Sequence, residues 1–118
     1  MKYMLLIHQG DSPTPLNDGW ATLSDEEKQG VFTDYQAVNS TPGVTPGTRL
    51  GSPEEATTVR VEDGTTLTTD GPFVETKEAL GGYLFFETDD PVAAIALAAR
   101  IPAARLGGAV EVRPLVEP

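Results

Sequence analysis

The sequence predicts an α+β fold: a ferredoxin-like βαββαβ order with an inserted β-hairpin, and an antiparallel sheet carrying its helices on one face. Three observations predict it. Two short segments, Lys2 to His8 and Gly81 to Thr88, are apolar on both of their alternating faces, as central strands are. Each leads, after a loop, into a segment that opens with helix-start chemistry. Between the two halves an Asp63-Gly64 pair separates two threonine-rich runs, the signature of a tight hairpin.

In the first strand Tyr3, Leu5 and Ile7 point one way and Met4, Leu6 and His8 the other. Gly10 to Gly19 holds Pro13, Pro15, Asn17 and Asp18, which is loop chemistry. Continued to Leu23, this connection reaches the roughly 12–15 residues beyond which a plain loop is uncommon. A lid over the sheet mouth near His8 would account for that length. Ser24-Asp25-Glu26-Glu27 is a capping box, so a helix starts there and runs to about Asn39 with Val31, Phe32, Tyr35 and Val38 on one stripe. Thr41-Pro42-Gly43 ends it, and Pro46-Gly47 delays the next strand to Thr48–Gly51.

Thr57 to Val61 and Thr65 to Thr69 form the hairpin, expected at a sheet edge or against a partner because its threonines leave a face that water tolerates. Tyr83 and Phe85 lie on one side of the second central strand, Leu84 and Phe86 on the other. Asp90 caps a second helix with Pro91 at its first position. Every residue from Val92 to Ala99 is apolar, so little of this helix is expected to face water. Ala109 to Arg113 alternates Val110 and Val112 with Glu111 and Arg113 as a last strand. Helices on one face leave the other sheet face apolar and open, and such a patch marks an interface. A homodimer with sheets face to face around a barrel-like interior is expected.

The chain has 118 residues, enough for one domain and one core over positions 1–118. Lys plus Arg number 8 against 18 Asp plus Glu, and a net charge of -10 repels phosphate backbones and anionic headgroups. Nucleic acid and membrane surfaces are therefore not expected partners. With 0 Cys, thiolate metal sites, disulfides and cysteine nucleophiles are excluded. No apolar run approaches the roughly 18–20 residues that span a bilayer, and no signal-peptide pattern is visible, so a cytoplasmic location is expected.

Asp70-Gly71-Pro72-Phe73-Val74-Glu75-Thr76-Lys77-Glu78, followed by Leu80-Gly81-Gly82-Tyr83, resembles the signature of the DGPF proteins within the YCII-related family. The flanks are similar too: Lys2 to Ile7, Ala56 to Arg60, Ile101 to Arg105 and Val110 to Pro114. The resemblance implies the dimeric α+β barrel superfamily. It also implies either a His/Asp active site with dehydrochlorinase-type activity on a chlorinated hydroxyquinol, known in the wider group, or an association with extracytoplasmic-function sigma factors. His8 stands where DGPF-like sequences commonly carry an aromatic residue.

His8 is the 1 histidine and the natural general acid/base at neutral pH, or else a strand-end residue bonding the loop beside it. Asp70 is either the turn-forming residue of the Asp-Gly corner or a carboxylate that orients His8 or takes a proton itself. Phe73 and Tyr83 are core, cavity wall or stacking surface. Glu75 and Lys77 are a charged rim or a solvated surface, and Arg49 and Arg60 are carboxylate clamps or surface cations. No metal-ligand or phosphate-cradling spacing is present, and no cofactor is expected. Two functions are compatible with these residues. One is a small polar or aromatic metabolite site, extending to a cofactor-free lyase or isomerase with His8 and Asp70 at its centre. The other is a non-catalytic binding or regulatory module.

Overall fold

The computed structural model describes residues 1–10, 12–15, 18–71 and 80–116. Among these, the regular elements run β1 (Lys2–His8), α1 (Asp25–Asn39), β2 (Val44–Arg49), β3 (Thr57–Glu62), β4 (Thr65–Asp70), β5 (Leu80–Glu87), α2 (Pro91–Ala99) and β6 (Ala109–Pro114). One antiparallel sheet has the order β2-β5-β1-β6, and β3 and β4 form a separate two-stranded sheet. With the hairpin set aside, this is the ferredoxin-like strand order the sequence predicts.

Alternation along the two central strands produces two different faces. Tyr3, Leu5 and Ile7 of β1 and Leu84 and Phe86 of β5 are buried with Val38 of α1 and Ala94, Leu97 and Ala98 of α2. On the other face Met4, Leu6, Tyr83 and Phe85 are only half-buried. The Tyr83 and Phe85 rings meet edge to face at 5.9 Å, and the Lys2 ammonium lies 5.3 Å from the Phe85 ring centre.

Local chemistry sets the element ends. The Glu27 N–H donates to Ser24 Oγ at 3.0 Å and the Ser24 N–H to Glu27 Oε1 at 2.9 Å, the reciprocal pair of a capping box. The Asp90 carboxylate accepts from the Val92 N–H at 2.9 Å. In the hairpin turn Asp63 has φ 50° and Gly64 φ 76°, the two positive values that a two-residue connection with strand-matching twist requires.

Three expectations are corrected. β2 begins at Val44 and runs through Pro46 and Gly47 rather than starting at Thr48. It is the sheet's edge, where a proline costs no ladder bond on its outer side. Gly47 is compelled by close approach, because a Cβ there would collide with the Tyr83 carbonyl. The second correction concerns α2, whose Val92 and Ile95 are 69% and 61% exposed. A single helix laid on a sheet buries one stripe, and Ala94, Leu97 and Ala98 already fill it. Phe32 likewise leaves the buried stripe of α1; it is 51% exposed and meets the Trp20 ring edge to face at 5.4 Å. Of the two placements expected for the hairpin, an edge of the main sheet is not the one found. The hairpin pairs Thr57 with Asp70 through Glu62 with Thr65 and packs chiefly on itself.

Candidate functional site

Two glycines open a cleft at the outer side of β5. Gly82 faces the helices, opposite Arg49 of β2, at a place where β2 shifts register between Pro46 and Arg49. A side chain there would occupy the space beneath α1, yet a Cβ alone would meet ordinary contacts, the nearest being the Thr48 carbonyl at 3.4 Å. Gly81 is covered by the Gln9 side chain, which a Cβ at 81 would strike. The result is two adjoining cavities of 220 Å³ each, sharing Gln9, Arg49 and Gly81 on their walls.

The lobes differ in chemistry. The inner one is walled by Ile7, Phe32, Tyr35, Asn39 and Leu84, and the outer one by Thr14, Leu50, Ser52, Glu54 and Leu80. Gln9 is held in place from below. The Ser12 hydroxyl donates to Gln9 Oε1 at 2.7 Å and the Ser12 N–H to the Gln9 carbonyl at 2.8 Å, with Ser12 only 1% exposed. That engages the acceptor half of the amide; its NH2 donates to the Tyr35 hydroxyl and retains a second N–H for donation. Burial raises the Tyr35 phenol above its ordinary pKa, opposed by the Gln9 amide and by the Arg49 and Arg105 guanidiniums. A neutral phenol, an amide donor and a guanidinium thus surround one junction.

A second polar group lies on the open sheet face. His8 Nε2 is 3.1 Å from Glu111 Oε1, and the other Glu111 oxygen accepts from Arg113. Antiparallel register explains the meeting: β1 and β6 pair Leu6 with Glu111 and His8 with Ala109, so the two side chains are diagonal neighbours on one face. The Arg113 bond first, and the His8 bond second, hold the Glu111 carboxyl below its ordinary pKa. Ile7 and Gln9 face the cleft, whereas His8 between them faces away from it.

The structure brings Arg49 and Tyr83 to the inner lobe, Tyr83 at the rim where its carbonyl abuts Gly47. Asp70 and Arg60 stand exposed on the separate hairpin, and Glu111 places a carboxylate on the His8 imidazole. The corner after Asp70 is pinned by backbone: the Gly71 N–H donates to the Ala56 carbonyl at 2.7 Å, and the Gly71 carbonyl accepts from the Thr58 hydroxyl at 2.8 Å. Phe73, Glu75 and Lys77 lie outside the described residues. Sequence reasoning missed Gln9, Glu54 and Glu111. Gln9 continues the Leu5, Ile7 alternation by one step, a signal that was there to be followed, whereas Glu111 needed the strand register.

No group of three or more His, Asp or Glu able to hold a metal ion occurs among the described residues, and none of their helices is long and apolar enough to cross a membrane. An uncharacterized protein of Rhizobium meliloti (strain 1021) is 33% identical over 120 residues, an overlap that covers 98% of this chain and 92% of that protein. The model of the YCII-related domain matches residues 1–117. With the fold, the length of the match and the relative in agreement, the chain belongs to the YCII-related family.

Proposed function

We propose that the protein is a homodimeric binding module for a small polar or aromatic metabolite, with one ligand in the Arg49 cleft of each protomer and the open sheet faces packed together. The observation that carries the reading is the junction itself: one cation and one amide donor stand on the shared wall of two adjoining cavities. Each cavity, at 220 Å³, falls below the roughly 300–1,000 Å³ of drug-sized pockets, so the occupant is metabolite-sized. In a chain of net charge -10 an anionic ligand depends on few cations, and Arg49 is one already facing a cavity. The dimer reading draws support from Met4, Leu6, Tyr83 and Phe85, which are half-buried on a face that the helices leave uncovered.

Thermal denaturation in the presence of small aromatic and aliphatic carboxylates tests the ligand reading. A ligand at 100 times its Kd stabilises the folded state by about 2.7 kcal/mol. Tm is expected to rise with at least one carboxylate for the wild type and to stay unchanged for Arg49→Ala. A panel that shifts both proteins equally, or neither, contradicts the proposal.

The His8–Glu111 contact favours a second reading, acid–base chemistry of a lyase or isomerase kind on the open face. A carboxylate on Nε2 holds the imidazole ring in one orientation and directs its proton to that nitrogen. Glu111 is then the orienting residue for His8. Exchange of an acidic C–H of a candidate substrate into deuterated water is expected with the wild type and lost with His8→Gln; exchange that persists in His8→Gln excludes this chemistry.

A further inference from the structure

The two lobes differ in charge, and the difference defines a class of ligand. In the outer lobe Glu54 lines the wall with its Oε2 accepting from the Ser52 hydroxyl at 3.1 Å, and the Glu55 carboxylate lies over Gly51, where a Cβ would strike it. Two carboxylates at this end repel an anionic group and attract a cationic one. The inner lobe offers no carboxylate among its described lining residues; it offers Ile7, Phe32, Tyr35 and Leu84. Arg49 and the Gln9 amide stand between the two.

We infer that the cleft takes an apolar or aromatic α-amino acid: its carboxylate on Arg49 and Gln9, its ammonium toward Glu54 and Glu55, and its side chain in the inner lobe. The inference rests on the reading of the cleft as a ligand site and names the ligand's class. The arrangement follows from charge order along the cleft. A carboxylate and an ammonium on one carbon match a guanidinium next to an acidic lobe, and the third substituent enters the lobe that has apolar walls and a neutral phenol. Gly82 sets the size of that substituent, since its missing side chain provides the floor of the inner lobe.

Isothermal titration of the full chain with L-phenylalanine, 3-phenylpropionate (no amine), phenethylamine (no carboxylate) and 3-phenyllactate (hydroxyl for amine) tests this. L-phenylalanine is expected to bind about tenfold or more tightly than each of the other three, the scale of one charge-assisted hydrogen bond. Glu54→Gln should narrow the gap between L-phenylalanine and 3-phenylpropionate, and Gly82→Val should abolish L-phenylalanine binding while a far-ultraviolet spectrum shows the fold intact. If 3-phenylpropionate or phenyllactate binds as tightly as L-phenylalanine, and Arg49→Ala removes that binding, the amino-acid inference is overturned and the ligand site stands. If none of the four binds and the broader carboxylate panel also gives no Arg49-dependent shift, both fall.

Discussion

His8 Nε2 and Glu111 Oε1 lie 3.1 Å apart although 103 positions separate them in the chain. The contact exists because β6 pairs with β1 along the side away from β5, and it places a half-buried imidazole and carboxylate on the sheet face without helices. The Glu111 carboxyl is held below its ordinary pKa, chiefly by Arg113 and then by His8. A group whose folded pKa is depressed contributes stability above its unfolded value, about 4.3, and that contribution is lost as pH falls through the lower folded value. Thermal denaturation across the acid range should show wild-type Tm falling more steeply than that of Glu111→Gln. Parallel acid limbs for the two proteins would mean the bonds to Glu111 carry no linkage.

Ser24 makes both halves of the α1 cap with Glu27. Ser24→Ala is expected to lower the unfolding free energy by about 1 kcal/mol, and Ser24→Gly by only a few tenths. Urea unfolding measures both. A Ser24→Ala variant as stable as the wild type would show that the hydroxyl is not what caps the helix.

Leu6 sits half-buried on the open face, and Leu5, its neighbour, is 0% exposed in the core. Leu5→Ala should cost about 2–5 kcal/mol by cavity formation. Leu6→Asp should leave the protomer folded and convert a dimer into a monomer, read by light scattering after gel filtration. A wild type that elutes at the mass of one chain at every concentration removes the dimer from the account.

Tyr35 titrates above the usual phenol range because it is buried, with Arg49 among the groups pulling the other way. Removing that cation in Arg49→Ala should therefore move the Tyr35 titration to still higher pH, followed by the ring-carbon NMR signal. The stability tied to this neutral phenol is fully present below the unfolded value, about 10, and is lost as pH rises through the folded value. A Tyr35 titration unchanged by Arg49→Ala would place the guanidinium away from the junction.

Local signals in the sequence were the readable ones. The Ser24 box, the Asp63-Gly64 turn and the doubly apolar strands each depend on residues a few positions apart, and each is realised. Pro46-Gly47 misled because punctuation that stops a central strand is harmless on an edge, and edge position is a property of the whole sheet. The uniform apolarity of α2 misled for a related reason: burial depends on how many neighbours surround the helix, and Val92 and Ile95 lie on the side that stays largely exposed. Arg49 was legible as a cation scarce in an acidic chain. Its setting was not, because the cleft arises from a register shift in β2, from Gly82 opposite it, and from Gln9 folded over Gly81.

The most direct measurement of the central claim is a map of backbone amide shifts as a small aromatic carboxylate is added to the full chain. Saturable shifts centred on Gln9, Arg49, Gly81 and Gly82 are expected, together with their loss in Arg49→Ala. Saturable shifts confined to the hairpin from Thr57 to Asp70, or to the open face around Leu6 and Phe85, and retained in Arg49→Ala, would contradict that claim.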